Sequence, residues 1–223
     1  MVEIERDGNV WILRMRDGEN RFNAGSVAAI NQALDQAGSA DGPCALVTTG
    51  DGKFYSNGLD LDWLAAAGQD ATGFLSDVHR LLGRVIGFPA VTVAAVNGHA
   101  FAAGAMLATA HDFVIMREDR GYWCLPEADL GLPLTAGMFA VIEAKLPRRA
   151  AHEAIVTGRR YDARQAQAAG IVHWTASENE VLTAAVKLAR ELAAKDRAVL
   201  AEHKRLLYGE VVRLCGAGQR GGE

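Results

Sequence analysis

Apolar and polar positions alternate with period two at the start of the chain. In "VEIERDGNVWILRM" two β-prone runs flank Asp7-Gly8-Asn9, which predicts a β-hairpin. The period then changes. Val27, Ile30 and Leu34 stand at helical spacing in "AGSVAAINQALDQAG", with Gly38 near the end, so a helix is expected there. "CALVTTG" reads as a short buried strand that runs into Asp51-Gly52 and the glycine turn of "FYSNGLDLDW". A helical region over "TGFLSDVHRLLGRVIGF" is closed by Pro89. A second buried strand, "AVTVAAV", leads to the glycine turn of "VNGHAFAAG" and a helix over "GAMLATAH". A third strand is expected over "FVIMRED", ending in the polar run Arg117 to Arg120.

The order helix, buried strand, glycine turn, helix therefore occurs twice, and a third strand enters the loop "LPEADLGLPL". Such alternation predicts an α/β fold. From Thr135 onward alanine-rich helical segments dominate, broken by Pro147, Gly158, Gly170 and a short strand at "IVHW". This tail is expected to pack on the core or on neighbouring subunits.

Composition narrows the class. The chain has 223 residues, half of them hydrophobic and 22% charged, which is a globular balance. A formal charge of −4 carries no basic surplus, so nucleic acid is not expected as a partner. Cys44, Cys124 and Cys215 lie far apart without metal-ligand spacing and read as reduced thiols. The histidines show no pairing pattern, so no metal site is expected. The acidic, strand-like N-terminus is no signal peptide, and no apolar run reaches the length of a membrane span. A soluble cytoplasmic protein with no membrane partner is the expectation.

The two glycine turns carry the candidate chemistry. A strand-to-helix turn gathers backbone N–H groups at the positive end of a helix. Glycine lets that backbone approach a ligand. Two such turns can aim two N–H groups at one oxygen, as in an oxyanion hole. Phosphate binding lacks support, because neither G-x-x-x-x-G-K-[ST] nor G-x-G-x-x-G occurs. The absence of G-x-S-x-G argues against a serine nucleophile.

Taken in order, "FYSNGLDLDW", "AAVNGHAFAAGAMLATAHDFVIM", "LPEADLGLPL" and "AIVTGRRYDARQAQAAGIVHW" resemble the crotonase superfamily, the enoyl-CoA hydratase/isomerase fold. The likeness covers about four-fifths of the chain. It implies a crotonase-like ββα spiral core over residues 1–175 and a C-terminal helical region over 176–223 that serves oligomerisation or the CoA side. It also implies a homotrimer or dimer of trimers and an acyl-CoA substrate, with no separate cofactor. The thioester carbonyl would sit between the backbone N–H groups of Leu59 and Ala103.

The resemblance places a catalytic glutamate at Glu127, which follows Pro126 in an apolar loop that should raise its pKa. The second glutamate of typical hydratases is replaced by Met106, and the usual Gly-Gly pair by Ala102-Ala103. The chain is also shorter than most relatives at its C-terminal end. One carboxylate can shuttle a proton between two carbons, so a Δ3,Δ2-enoyl-CoA isomerase of fatty-acid breakdown is expected. A 2-enoyl-CoA hydratase, thioester hydrolysis, decarboxylation or a non-catalytic acyl-CoA-binding homologue remain alternatives. Phe22, Asn23, Ser56, Asn57, Gly58, Asp60 and Met106 are the expected substrate-binding positions, with "NRFN" running along the CoA. Asp60 and Asp62 more simply cap the next helix. Asn57 has a loop or a ligand as partner, and Asp129 is a buried helper or an exposed loop charge. Lys204 and Arg205 stand where relatives meet CoA phosphates, or on a solvated helix face.

Overall fold

The computed structural model describes residues 1–68 and 73–216. The expected hairpin forms: β1 (Val2–Asp7) pairs antiparallel with β2 (Val10–Met15) around Gly8. Helix α1 (Ala24–Gly38) spans the predicted segment and buries Val27, Ile30, Ala33, Leu34 and Ala37. It starts at a capping box in which Asn23 accepts from the Ser26 amide and the Ser26 side chain accepts from the Asn23 amide.

Three strand–strand–helix turns then follow. In the first, β3 (Ala45–Gly50) and β4 (Phe54–Ser56) lead to α2 (Leu61–Ala66) and α3 (Phe74–Ile86). Gly87 caps α3 just before Pro89, and Thr72 of the expected helical stretch lies outside the described residues. The second turn is β5 (Val91–Val96), β6 (His99–Phe101) and α4 (Ala103–Ala110). The third is β7 (Phe113–Arg117), β8 (Trp123–Cys124), α5 (Glu127–Leu130) and α6 (Ala136–Lys145). After these come α7 (Arg148–Thr157), α8 (Ala163–Ala168), β9 (Trp174–Ala176), α9 (Val181–Leu192) and α10 (Arg197–Leu214).

The first strand of each turn joins a six-stranded sheet in the order β1-β2-β3-β5-β7-β9, parallel after the hairpin. The second joins a three-stranded parallel sheet in the order β4-β6-β8. The architecture is therefore a ββα spiral. Strands β3 and β5 are buried along their whole length, which explains why they read as continuous apolar runs. Helix α9 packs Val181, Ala185 and Ala189 on one face of the large sheet, against Val47, Val93 and Ile115. The other face holds the larger core, with α1, α3, α4 and α6 around Leu46, Leu81, Met106 and Ile142.

Two segments differ from expectation. The strand at "IVHW" starts later, at Trp174. Ile171 and Val172 are buried, and both amides bond Ala166 O, so they finish the turn after α8. The short strands β4 and β6 lie in segments that read as glycine turns, and β8 was not expected, all three being two or three residues long. Residues 217–223 of the expected C-terminal helical region lie outside the described residues. No described helix is long and apolar enough to cross a membrane.

Candidate active site

The small sheet assembles the site. In register, Ser56 of β4 sits beside Ala100 of β6, and Phe101 beside Cys124 of β8. The Ala102 amide donates to Cys124 O at 3.0 Å. The strands run parallel, so the segments after them leave from one end of the sheet. Those segments hold Gly58-Leu59, Ala102-Ala103 and Glu127.

The two glycine turns touch. Gly58 has φ +82°, and a methyl on it would stand 2.8 Å from Ala102 Cβ and 3.3 Å from Ala103 N. Gly104 is needed for a separate reason, since a methyl there would lie 2.4 Å from Ser56 O. The turn before α4 carries no glycine at its bend. Ala102 adopts φ +50°, ψ −127°, a region that costs a non-glycine residue about 1–3 kcal/mol.

Both proposed donors are free. Phe22 pairs with Leu59 in a parallel bridge: the Phe22 amide donates to Gly58 O at 2.7 Å, and the Asp60 amide donates to Phe22 O at 2.9 Å. This leaves the Leu59 amide pointing away from Phe22. Neither it nor the Ala103 amide, at the start of α4, has a hydrogen-bond partner among the described residues.

Glu127 opens the short helix α5 directly after β8. It lines a cavity of about 430 Å³ with Leu132, Leu134, Thr135, Phe139 and Ile155. Its Oε2 is buried and has no hydrogen-bond partner. Burial in this apolar wall raises the carboxyl above its ordinary 4.5, while its own backbone N–H pulls the other way. The cavity is open to solvent on one side and is not walled by Leu59 or Ala103; the sheet register is what brings those groups to the same end of the fold.

The other expected site residues hold the scaffold. Ser56 is fully buried; its Oγ donates to Asn20 O at 2.7 Å and accepts from the Gly58 amide at 3.2 Å, so it fixes the first turn. Phe22 and Met106 are buried in the main core. Asn23 caps α1, and Asp60 caps α2 through the Trp63 amide. Asn57 Nδ2 donates to Glu19 Oε2 at 2.8 Å, so its partner is the loop. Asp62 pairs with Arg21, and Asp129 is exposed. A polar groove beside "NRFN", lined by Asp17, Glu19, Arg21, Asn23 and Asp60, has a volume of about 290 Å³. Lys204 lies elsewhere: it is buried, with Nζ 2.7 Å from Asp112 Oδ2, so its charge is already paired within the fold. Its burial arises because it snorkels back from α10 to Ala90 O and Asp112 at the end of the large sheet. Arg205 is exposed and pairs with Glu202.

The sequence did not single out Thr135 and His79. Thr135 Oγ1 lies 2.8 Å from His79 Nε2, and Thr135 also caps α6. The signal available was the Thr-x-x-Met spacing before an apolar run, which marks a helix start and not a cavity wall. No group of three or more His, Cys, Asp or Glu side chains among the described residues has the arrangement of a metal site.

The sequence profile described as enoyl-CoA hydratase/isomerase matches residues 5–213. The chain is 38% identical to the peroxisomal enoyl-CoA delta isomerase 2 of Arabidopsis thaliana, an alignment covering 97% of this chain and 94% of the relative. It is 36% identical to enoyl-CoA delta isomerase 3 of the same plant, over 96% of this chain and 94% of that one. Among solved structures, a probable enoyl-CoA hydratase of Mycobacterium tuberculosis superposes with a TM-score of 0.89 at 27% identity, covering 97% of this chain and 92% of the other. With the spiral of strand pairs, the paired turns and these likenesses together, the chain belongs to the enoyl-CoA hydratase/isomerase family.

Proposed function

We propose that this protein is an enoyl-CoA isomerase that moves a double bond from the 3- to the 2-position of an acyl-CoA. The observation that carries the reading is Glu127, a carboxylate with a buried, unpartnered oxygen in an otherwise largely apolar cavity. Met106, at the position where a hydratase would keep its second glutamate, is buried in the core. Hydration needs a water to be oriented and deprotonated as well as a proton delivered to carbon. A one-carbon-to-another proton transfer needs one base.

In this mechanism Glu127 takes a proton from C2 of a 3-enoyl-CoA. The C–H electron pair moves into the thioester, giving a dienolate whose oxygen carries the charge. The Leu59 and Ala103 amides donate to that oxygen, and loss of one such donor typically costs on the order of a hundredfold or more in rate. Glu127 then returns the proton to C4, and the double bond settles between C2 and C3. The raised carboxyl pKa suits the first step, because burial makes the carboxylate a stronger base toward the C2 proton.

We place the CoA chain along "NRFN", next to Asn23, Asn57 and Asp60, with Gly58 at the turn that meets the thioester and the buried Phe22 and Ser56 holding that turn from behind. We place the protein in the cytoplasm as a homotrimer or dimer of trimers, in fatty-acid breakdown, with acyl-CoA as substrate and no separate cofactor. Conjugation of 3-hexenoyl-CoA, followed by absorbance, tests the reading. Hydration of crotonyl-CoA at a rate well above isomerisation would replace it.

A further inference from the structure

The cavity around Glu127 has apolar walls with one exception. Leu132, Pro133, Leu134, Phe139 and Ile155 offer no polar side-chain atom, and Thr135 does. Its hydroxyl is not a loose surface group, because His79 from α3 reaches it at 2.8 Å. Two elements distant in sequence therefore meet to fix one hydroxyl at the wall of the cavity that holds an unpartnered carboxylate oxygen.

The His79 tautomer sets the direction of this contact. Thr135 Oγ1 caps α6 by accepting from the Met138 amide. When His79 carries its proton on Nε2, the hydroxyl accepts from His79 as well. Both lone pairs are then used, and the hydroxyl's own proton is left to be donated elsewhere. A buried carboxylate gains most from such a donor, since charge-assisted hydrogen bonds are the stronger kind.

We propose that His79 and Thr135 form a positioning pair for Glu127: His79 fixes the Thr135 hydroxyl, which reaches the Glu127 carboxylate across the cavity through one bridging water. The pair supplies the cavity with a hydrogen-bond donor without adding a negative charge to it. It steadies the ionised base between its two proton transfers. This inference rests on the reading of Glu127 as the base. No ion pair to Glu127 exists among the described residues, and the titratable groups nearest it in sequence are Cys124 and the exposed Asp129.

The test is a titration of Glu127 itself, by carbon NMR of protein labelled at glutamate, with the resonance identified by its loss in Glu127→Gln. Removing the donor with Thr135→Val should move the midpoint up by about one pH unit, as expected for the loss of a hydrogen bond to the charged form. Thr135→Ser should restore it. His79→Leu should copy Thr135→Val, and His79→Gln, which keeps a side-chain N–H, should restore it. The double variant Thr135→Val, His79→Leu should shift no further than either single change. In the isomerase assay Thr135→Val and His79→Leu should lower kcat about tenfold with KM little changed, and Thr135→Ser and His79→Gln should not. A midpoint unmoved in both Thr135→Val and His79→Leu overturns the pair, as does a shift that Thr135→Ser fails to reverse. If Thr135→Val does not fold, the His79 variants decide alone. An inactive wild type would sink the isomerase reading, while the titration would still judge the pair.

Discussion

Gly58 and Ala103 come from turns 45 positions apart, yet a methyl on Gly58 would stand 3.3 Å from the Ala103 amide nitrogen. The contact explains why the first turn needs glycine twice over. Its φ of +82° disfavours any side chain, and the space is taken by Ala102 Cβ at 2.8 Å and Phe101 O at 3.0 Å. Gly58→Ala should therefore push the two turns apart. We expect a loss of about 1–3 kcal/mol in stability and a fall on the order of a hundredfold in kcat, read by urea unfolding and the isomerase assay. Wild-type activity in this variant would show that the two amides need no common alignment.

Ala102 presents the opposite case. It holds φ +50° without glycine, so the fold bears a strain that Ala102→Gly would relieve. Relief should be worth about 1 kcal/mol, less the added freedom of the unfolded chain. An unfolding midpoint that shifts up checks this. A downward shift would mean that the methyl's packing against Gly58 outweighs the strain.

The broad α/β order was legible because buried strands and amphipathic helices leave strong periodic signals. Val27, Ile30 and Leu34 marked α1, and "AVTVAAV" marked β5, with little competition from other patterns. Strands β6 and β8 were not legible, since three or two residues give no period to read, and their pairing depends on neighbours far along the chain. Glu127 was visible through its loop motif. The pairing of His79 with Thr135 was not, because it joins α3 to the start of α6 across 56 positions. Lys204 misled for a related reason: a lysine on a helix reads as solvated, and only the fold reveals Asp112 beneath it.

His111 makes stability depend on pH. It is fully buried; its Nδ1 lies 2.8 Å from Leu107 O and its Nε2 lies 2.9 Å from Thr48 Oγ1, which in turn meets the Tyr55 hydroxyl. Burial lowers its pKa from 6.5 to about 4. The unfolded chain thus binds a proton that the folded chain refuses. Stability is fully present above the unfolded value and is lost as pH falls from about 6.5 toward 4, by on the order of 3 kcal/mol in all. Urea midpoints at pH 7 and pH 5 should show the decline, and His111→Gln should flatten it over that window.

Activity should have its own acid limb. Glu127 works as a base only when ionised, and burial raises its carboxyl above 4.5. The rate should hold at higher pH and fall about tenfold per unit below the raised pKa. A profile of kcat/KM against pH checks this. A limb at or below the ordinary glutamate value would mean that the free enzyme does not shield this carboxyl.

The most direct measurement compares wild type with Glu127→Gln on 3-hexenoyl-CoA, following the absorbance of the conjugated product. Gln keeps the shape of the side chain and removes the base. The account predicts ready conjugation by the wild type and a loss of about a thousandfold or more in the variant, the scale expected when the one general base is removed. Conjugation that survives Glu127→Gln intact would contradict it.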